Sequence, residues 1–245
     1  MPQGSQGEIR AFQDFSGTHE DVAWASTSVD LGGEWGMVSV NEGTLNDVVD
    51  EDGGILGFTT DTAAADNVCL FAGLFLPNNG NISFEARFKI DDITNGAMFG
   101  GFMESLNKAT PVFPITVSGT TLTYTGSGGM VGLVWDSDRT TNAWLAAAGD
   151  GGAASNLTNY PTDGTAATDA AVNDEFDIIR VQLTSSGFAE VWHDDELVAS
   201  GQTGLDTANF FYAVLFCENR NSDTSAEIFE VDYVAAKGIR DWTVG

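Results

Sequence analysis

Cations are scarce in this chain: nine lysines and arginines stand against 36 aspartates and glutamates over 245 residues, a formal charge of −27. Binding to nucleic acid depends on cationic side chains that displace condensed counterions from phosphates. The nine run from Arg10 to Arg240 without a cluster, so nucleic acid is excluded as a partner. An acidic surface keeps copies of the chain apart, least so where salt screens it, and suits a saline setting or a cationic partner surface. Cysteine and histidine are as sparse. Cys69 and Cys217 sit inside the apolar runs VCLFAGLF and FFYAVLFCE, which predicts buried free thiols and no disulfide framework. His19 and His193 are the only imidazoles, and with two separated cysteines they give no zinc-ligand spacing. No G-x-S-x-G elbow accompanies them, so a serine hydrolase is excluded as well. Long apolar runs are also missing, which argues against a membrane span, and the start MPQGSQGEIRAFQDFSG lacks the apolar core of a secretory signal. A chain made in a cytoplasm is expected, where the glycosylation patterns at Asn81 and Asn156 are chance matches.

What is present is the punctuation of an all-β domain. In NDEFDIIRVQLTSSGFAEVWHDDELVASG, Ile179, Val181 and Leu183 alternate with Arg180, Gln182 and Thr184, the period of a strand with one buried face. Ser185-Ser186-Gly187 and Asp194-Asp195 turn the chain, leaving three strands in a row with no room for a helix. Asn81–Ile90 alternates more cleanly still, and Ala97–Glu104 reads as its partner, with Gly100-Gly101 marking a bulge or a close backbone approach. Shorter segments at Gly36–Val40, Ile55–Phe58, Val68–Leu76, Pro111–Val117, Thr120–Thr125, Met130–Trp135 and Trp144–Ala148 continue the series, with a hairpin turn at Ser118-Gly119. Asn209–Cys217 is apolar on both faces, as a central strand is, and Glu227–Ala235 closes the chain with Phe229, Val231 and Tyr233 inward. Residues 1–21 read as an extended arm and residues 22–245 as one sandwich domain. Gly149–Asp174 is the longest loop, and loops of that length are usually functional or disordered.

The order of these pieces, from EDGGILGF through NISFEARFKI, GAMFGGFMES and the three-strand meander to EIFEVDYVAA, resembles the concanavalin A-like lectin/glucanase jelly roll, also seen in laminin-G-type domains. The resemblance spans roughly Trp35 to Val234 and implies two antiparallel sheets. Relatives often carry Asp-Gly before the third meander strand; Asp195-Glu196 stands there here and demands another turn. Glucanases of the family carry E-x-D-x-x-E, which aligns carboxylates on one strand face. The nearest matches, from Glu175-Phe176-Asp177 to Arg180 and from Glu230-Val231-Asp232 to Ala235, lack the last carboxylate and read as solvent-facing strand residues.

Lectins of this fold can use calcium, but the acidic corners here fit turn chemistry without a metal. In Asp47, Asp50, Glu51 and Asp52 before Gly53, alignment to an EF-hand leaves Val48 first and Thr59 last. Asp136 with Asp138, and Asp194 with Asp195 and Glu196, are the other two corners. No cofactor is expected. Trp144 and Tyr160, at and within the long loop, are the candidates for stacking on a sugar or meeting a partner. Trp24, Trp35, Trp135, Trp192 and Trp242 are assigned to packing. A lectin-type jelly roll without catalytic groups, with a polar arm and a Gly/Ala/Thr/Asn-rich composition resembling marine phage virion proteins, predicts a non-enzymatic capsid decoration or cement protein. Its partner would be the capsid shell protein, its place the virion, and a second copy of the chain is a further candidate partner. The alternative is a carbohydrate-binding module for adhesion, with a degenerate glycoside hydrolase third.

Overall fold

The computed structural model describes residues 8–15, 22–25, 29–32, 34–47, 54–150, 165–166, 170–220 and 226–239. In chain order its strands begin β1 (Glu8–Gln13), β2 (Val22–Ala25), β3 (Val29–Gly32), β4 (Trp35–Val40), β5 (Glu42–Asp47), β6 (Leu56–Thr59) and β7 (Asn67–Phe75). They continue with β8 (Ile82–Ile90), β9 (Gly96–Met103), β10 (Ile115–Ser118), β11 (Thr121–Tyr124), β12 (Gly129–Asp136) and β13 (Leu145–Asp150). The last are β14 (Thr165–Ala166), β15 (Phe176–Leu183), β16 (Phe188–His193), β17 (Glu196–Gln202), β18 (Phe211–Asn219) and β19 (Ile228–Ile239). No helix among the described residues is long and apolar enough to cross a membrane.

Two antiparallel sheets carry the core. The first runs β17-β16-β15-β8-β19-β6-β5-β2, with β1 also on β19, and the second runs β14-β13-β12-β9-β18-β7-β4-β3. The period of two dictates the contact between them: Ile82, Phe84, Ala86, Phe88 and Ile90 of β8 are buried while the residues between them are half-buried. Ile179, Val181 and Leu183 of β15 and Ala189 and Val191 of β16 extend that face, which meets Trp35, Phe102, Trp135 and Trp144 from the second sheet. Every residue of β9 and β12 is buried, because the second sheet is covered on both sides. The β10–β11 hairpin lays Phe113, Ile115, Val117 and Tyr124 over Phe99, Met130, Val134 and Phe216 on its outer face. Tyr124 is consequently shielded, and burial pushes its hydroxyl up to about 12.

The meander, the Ser118-Gly119 hairpin and the doubly buried β18 stand as the pattern indicates. Three expectations are corrected, and the extended N-terminal arm gains a pairing. β8 and β9 form no hairpin: Asp91–Asn95 carries the chain from one sheet to the other, since β8 pairs with β15 and β19 whereas β9 pairs with β12 and β18. The N-terminal arm is a strand over Glu8–Gln13. It fills the edge of β19 that β6 leaves open beyond Val231, and it buries Ala11, with Phe15 just beyond it. Tyr233 faces outward, because a bulge between Val231 and Tyr233 spends one residue and hands the inward position to Val234. Within the long loop, Thr165–Ala166 pairs with Leu145–Ala146 at the sheet edge, while 151–164 and 167–169 lie outside the described residues.

Gly100-Gly101 proves to be a close approach. The register to β12 passes through without a shift, and a Cβ on the facing Gly132 would sit 2.3 Å from the Gly100 carbonyl oxygen.

Candidate functional site

The outer face of the first sheet gathers the cations that the sequence scatters. Alternation points Arg87 and Lys89 of β8 and Arg180 of β15 away from the core, and the strands β1 and β19 add Arg10 and Lys237. Five of the nine cations of the chain therefore share one face, leaving four for the rest of a molecule of charge −27. The described carboxylates that face outward on these strands are three: Glu85, Glu230 and Asp232. They are engaged in a lattice: Arg87 bonds Asp232, Lys89 meets Glu230 at 2.8 Å, and Arg180 meets Glu85 at 2.7 Å and Asp195 at 3.3 Å. Tyr233, turned outward by the bulge, donates to Glu85 at 2.8 Å, and the Arg87 guanidinium lies 3.8 Å over the Phe176 ring.

At one end of this face Arg10 and Lys237 are direct cross-strand partners. Like charges placed opposite each other on neighbouring strands destabilise the pairing. Beside them Phe12 is 55% exposed, and a cleft of about 500 Å³ is lined by Arg10, Phe12, Ser83, Glu85, Arg180 and Lys237 among others.

A second cluster lies at the rim of the core where β15 meets β16. Asp177 and His193 both occupy inward positions, and His193 Nε2 stands 2.6 Å from Asp177 Oδ1. The sequence reading of Asp177 as solvent-facing is corrected here. It precedes Ile179 by two residues and so shares the core face with it, buried to 6% exposure. Burial raises its carboxyl above the ordinary range, and His193 pulls the other way. Asp194 follows in the two-residue turn to β17, where Asp194 and Asp195 both take positive φ, 45° and 64°. This is the mirror-image turn that Asn-Gly usually makes, and aspartate tolerates it. The Asp194 Oδ1 accepts the Ile178 N–H at 2.7 Å, which leaves Oδ2 3.6 Å from His193 Nε2. A cleft of about 340 Å³ opens onto the pair between Ala170, Val172, Glu175 and Asp194.

Trp144 is no stacking platform. It is fully buried against Phe88, Trp135 and His193, with ring centroids 5.7, 6.2 and 5.5 Å away, because the first residue before β13 already belongs to the inter-sheet core. Tyr160 lies outside the described residues, as do His19, Asp50, Glu51, Asp52 and Trp242. The Asp136–Asp138 corner is held by a guanidinium: Arg220 spans both Asp136 oxygens at 3.2 and 2.8 Å and also bonds Glu218. Asp136 in turn accepts the Val117 N–H at 2.7 Å, which pins the covering hairpin. Burial pushes the Glu218 carboxyl up to about 7 against the opposing pull of Arg220 and Asn67. Glu230 and Asp232 do face outward, in their ion pairs with Lys89 and Arg87. Cys69 and Cys217 are free and buried.

No family model matches this sequence, and no curated protein matches it. Solved structures do. A protein of unknown function from Shewanella oneidensis MR-1 superposes with a TM-score of 0.59 at 12% identity, over 98% of this chain and 90% of that one. The carbohydrate recognition domain of Emp47p superposes with 0.54 at 11% identity, over 89% and 97%. The fold is a concanavalin A-like jelly roll. LamAcat from Zobellia galactanivorans shares it with a TM-score of 0.52 at 15% identity, over 79% of each chain. Carbohydrate recognition domains and glycan-active enzymes thus stand among the neighbours, and identities this low show the fold alone.

Proposed function

We propose that this chain is a non-enzymatic binding protein, and in its finer form a decoration protein that cements the shell of a phage-like particle. It would seat the outer face of its first sheet on an acidic surface of the shell protein. The observation that carries the reading is the face that holds five of the nine cations, with Arg10 and Lys237 together at one end of it. A face that gathers cations is complementary to an anionic surface. The same charge distribution keeps the remaining acidic surfaces of neighbouring copies apart, so a partner is met in one orientation. Copies repeated over a symmetric shell turn a weak contact into a durable one.

Acids among the described residues support the non-enzymatic part. Glycoside hydrolysis asks for two carboxylates flanking a sugar bond, about 5 to 9.5 Å apart. Asp177 and Asp194 lie on one wall, with their facing oxygens within 4.8 Å of each other and one oxygen of each already engaged. The lattice of Glu85, Glu230 and Asp232 is consumed by cations.

The test is co-purification with intact particles on a density gradient, and loss of particle stability when the gene is deleted. Reversing both charges, Arg10→Glu with Lys237→Glu, should release the protein from particles without unfolding it. A second reading, a glycan-binding module, is favoured by the exposed Phe12 ring beside Ser83, Glu85 and Arg180. Absence from particles, together with saturable binding on a glycan array that Phe12→Ala removes, would replace the first reading by the second.

A further inference from the structure

We propose that Asp177, His193 and Asp194 form a binding site for one divalent transition-metal ion of the Zn²⁺ type, at the rim of the core. Their nearest ligand atoms all lie within 4.8 Å of one another, His193 Nε2 being 2.6 Å from Asp177 Oδ1 and 3.6 Å from Asp194 Oδ2. Around a tetrahedral ion with bonds of about 2.1 Å, ligand atoms stand about 3.4 Å apart. Small side-chain rotations bring the three to that spacing. The sequence shows no such site, since Asp177 and His193 stand sixteen residues apart and only the pairing of β15 with β16 joins them.

Three features favour an ion over a simple histidine–aspartate pair. A single ring nitrogen offers one proton, yet two carboxylates converge on Nε2. An ion in place of that proton satisfies both and releases the proton. Asp194 is aimed: its Oδ1 is fixed by the Ile178 N–H, which directs Oδ2 at the ring nitrogen. Finally, the Trp144 indole N–H is buried without a hydrogen-bond partner, and its ring packs 5.5 Å from the His193 imidazole. That donor is free for a carboxylate oxygen turned away from the ion, and such support of ligating carboxylates is typical of metal sites. One imidazole with two carboxylates selects zinc, cobalt, nickel or copper over calcium and magnesium. The cleft beside Glu175 leaves a coordination position open to water or to a donor from a partner.

The full chain, stripped with EDTA and desalted, is titrated with CoCl₂ and with ZnCl₂. Expected are a visible d–d absorption saturating at one cobalt per chain, its displacement by zinc, and no displacement by an equal concentration of CaCl₂. Asp194→Asn, which keeps the acceptor for the Ile178 N–H and tolerates the left-handed turn, should weaken cobalt binding at least tenfold while leaving the thermal midpoint of the metal-free protein unchanged. With only two imidazoles in the chain, NMR of the ring resonances assigns the response, His19→Gln marking the other ring; His193 should shift and His19 should not. Absence of the cobalt band, unaltered affinity in Asp194→Asn, or a zinc response confined to His19 would each overturn the site and leave diffuse binding to surface carboxylates.

Discussion

Glu227 offers the sharpest test of how this acidic chain tolerates its own charges. Its side chain is 1% exposed, its Oε2 has no hydrogen-bond partner, and its backbone is fixed to Thr60 by bonds of 2.9 and 3.0 Å. Burial, then the neighbouring charges of Asp91 and Asp92, pushes the carboxyl from 4.5 up to about 7. A carboxyl whose folded value lies above its unfolded one binds more protons when folded, so stability falls as pH rises between the two values. Below about 4.5 both states are protonated and nothing is lost; above about 7 the full cost is present. Linkage over those two values gives a cost of about 1 kcal/mol at pH 5 and about 3 kcal/mol at pH 8. Glu227→Gln keeps the shape and removes the titration. It should therefore stabilise the protein by about 3 kcal/mol at pH 8, a rise of about 6–12 °C in Tm for a chain of this size, and by about 1 kcal/mol at pH 5. Urea unfolding of both proteins at pH 5, 6.5 and 8 checks it, and the general self-repulsion of the chain cancels in the difference. An equal gain at all three values, or none at pH 8, would refute the assignment of the cost to this buried charge.

Three other changes probe separate parts of the fold. Arg220→Met leaves Asp136 and Glu218 buried without their cation and should destabilise by about 3–5 kcal/mol, less at pH 5 than at pH 8 because Glu218, raised to about 7, then takes a proton; urea midpoints at the two pH values report it. Gly132→Ala drives a methyl to 2.3 Å from the Gly100 oxygen and 2.8 Å from the Phe99 ring, so a loss of about 3 kcal/mol or complete misfolding is expected by calorimetry. Cys69 and Cys217, with thiols raised well above their usual value by burial, should resist a thiol reagent in the native protein and react together on unfolding.

The fold was legible wherever one face of a strand was wet. β8, β15 and β16 show their alternation directly in the residue order, and β18 shows its double burial as an unbroken apolar run. Pairing was less legible. β9 looks like the hairpin partner of β8 because it follows closely, yet nothing local reveals that five intervening residues cross to the other sheet. Its continuous burial, covered on one side by a hairpin that comes later in the chain, is the only hint. The bulge on β19 is similarly silent: Asp232 differs in no visible way from the residues around it, but one extra residue there reverses the direction of Tyr233.

The candidate sites were hidden for the same reason. Arg10 and Lys237 are separated by almost the whole sequence and become neighbours only because β1 completes the open edge of β19. Asp177 and His193 meet because β15 and β16 are in register with Ile179 opposite His193, placing both polar groups on a face that is otherwise apolar. A sequence signal did exist for the second pair. On β15 and β16 the inward positions from Ile179 to Val191 are apolar, and Asp177 and His193 continue that period at its two ends. A polar residue that keeps the core period must be buried and must find a partner, or the strand would not tolerate it. Applied to Trp144, the same rule works in reverse. An aromatic beside a long loop looks exposed, but it leads into AAA, a run on β13 whose small side chains leave room for large rings from the facing sheet. Position relative to the period, and not proximity to a loop, decides which side chains a partner can reach.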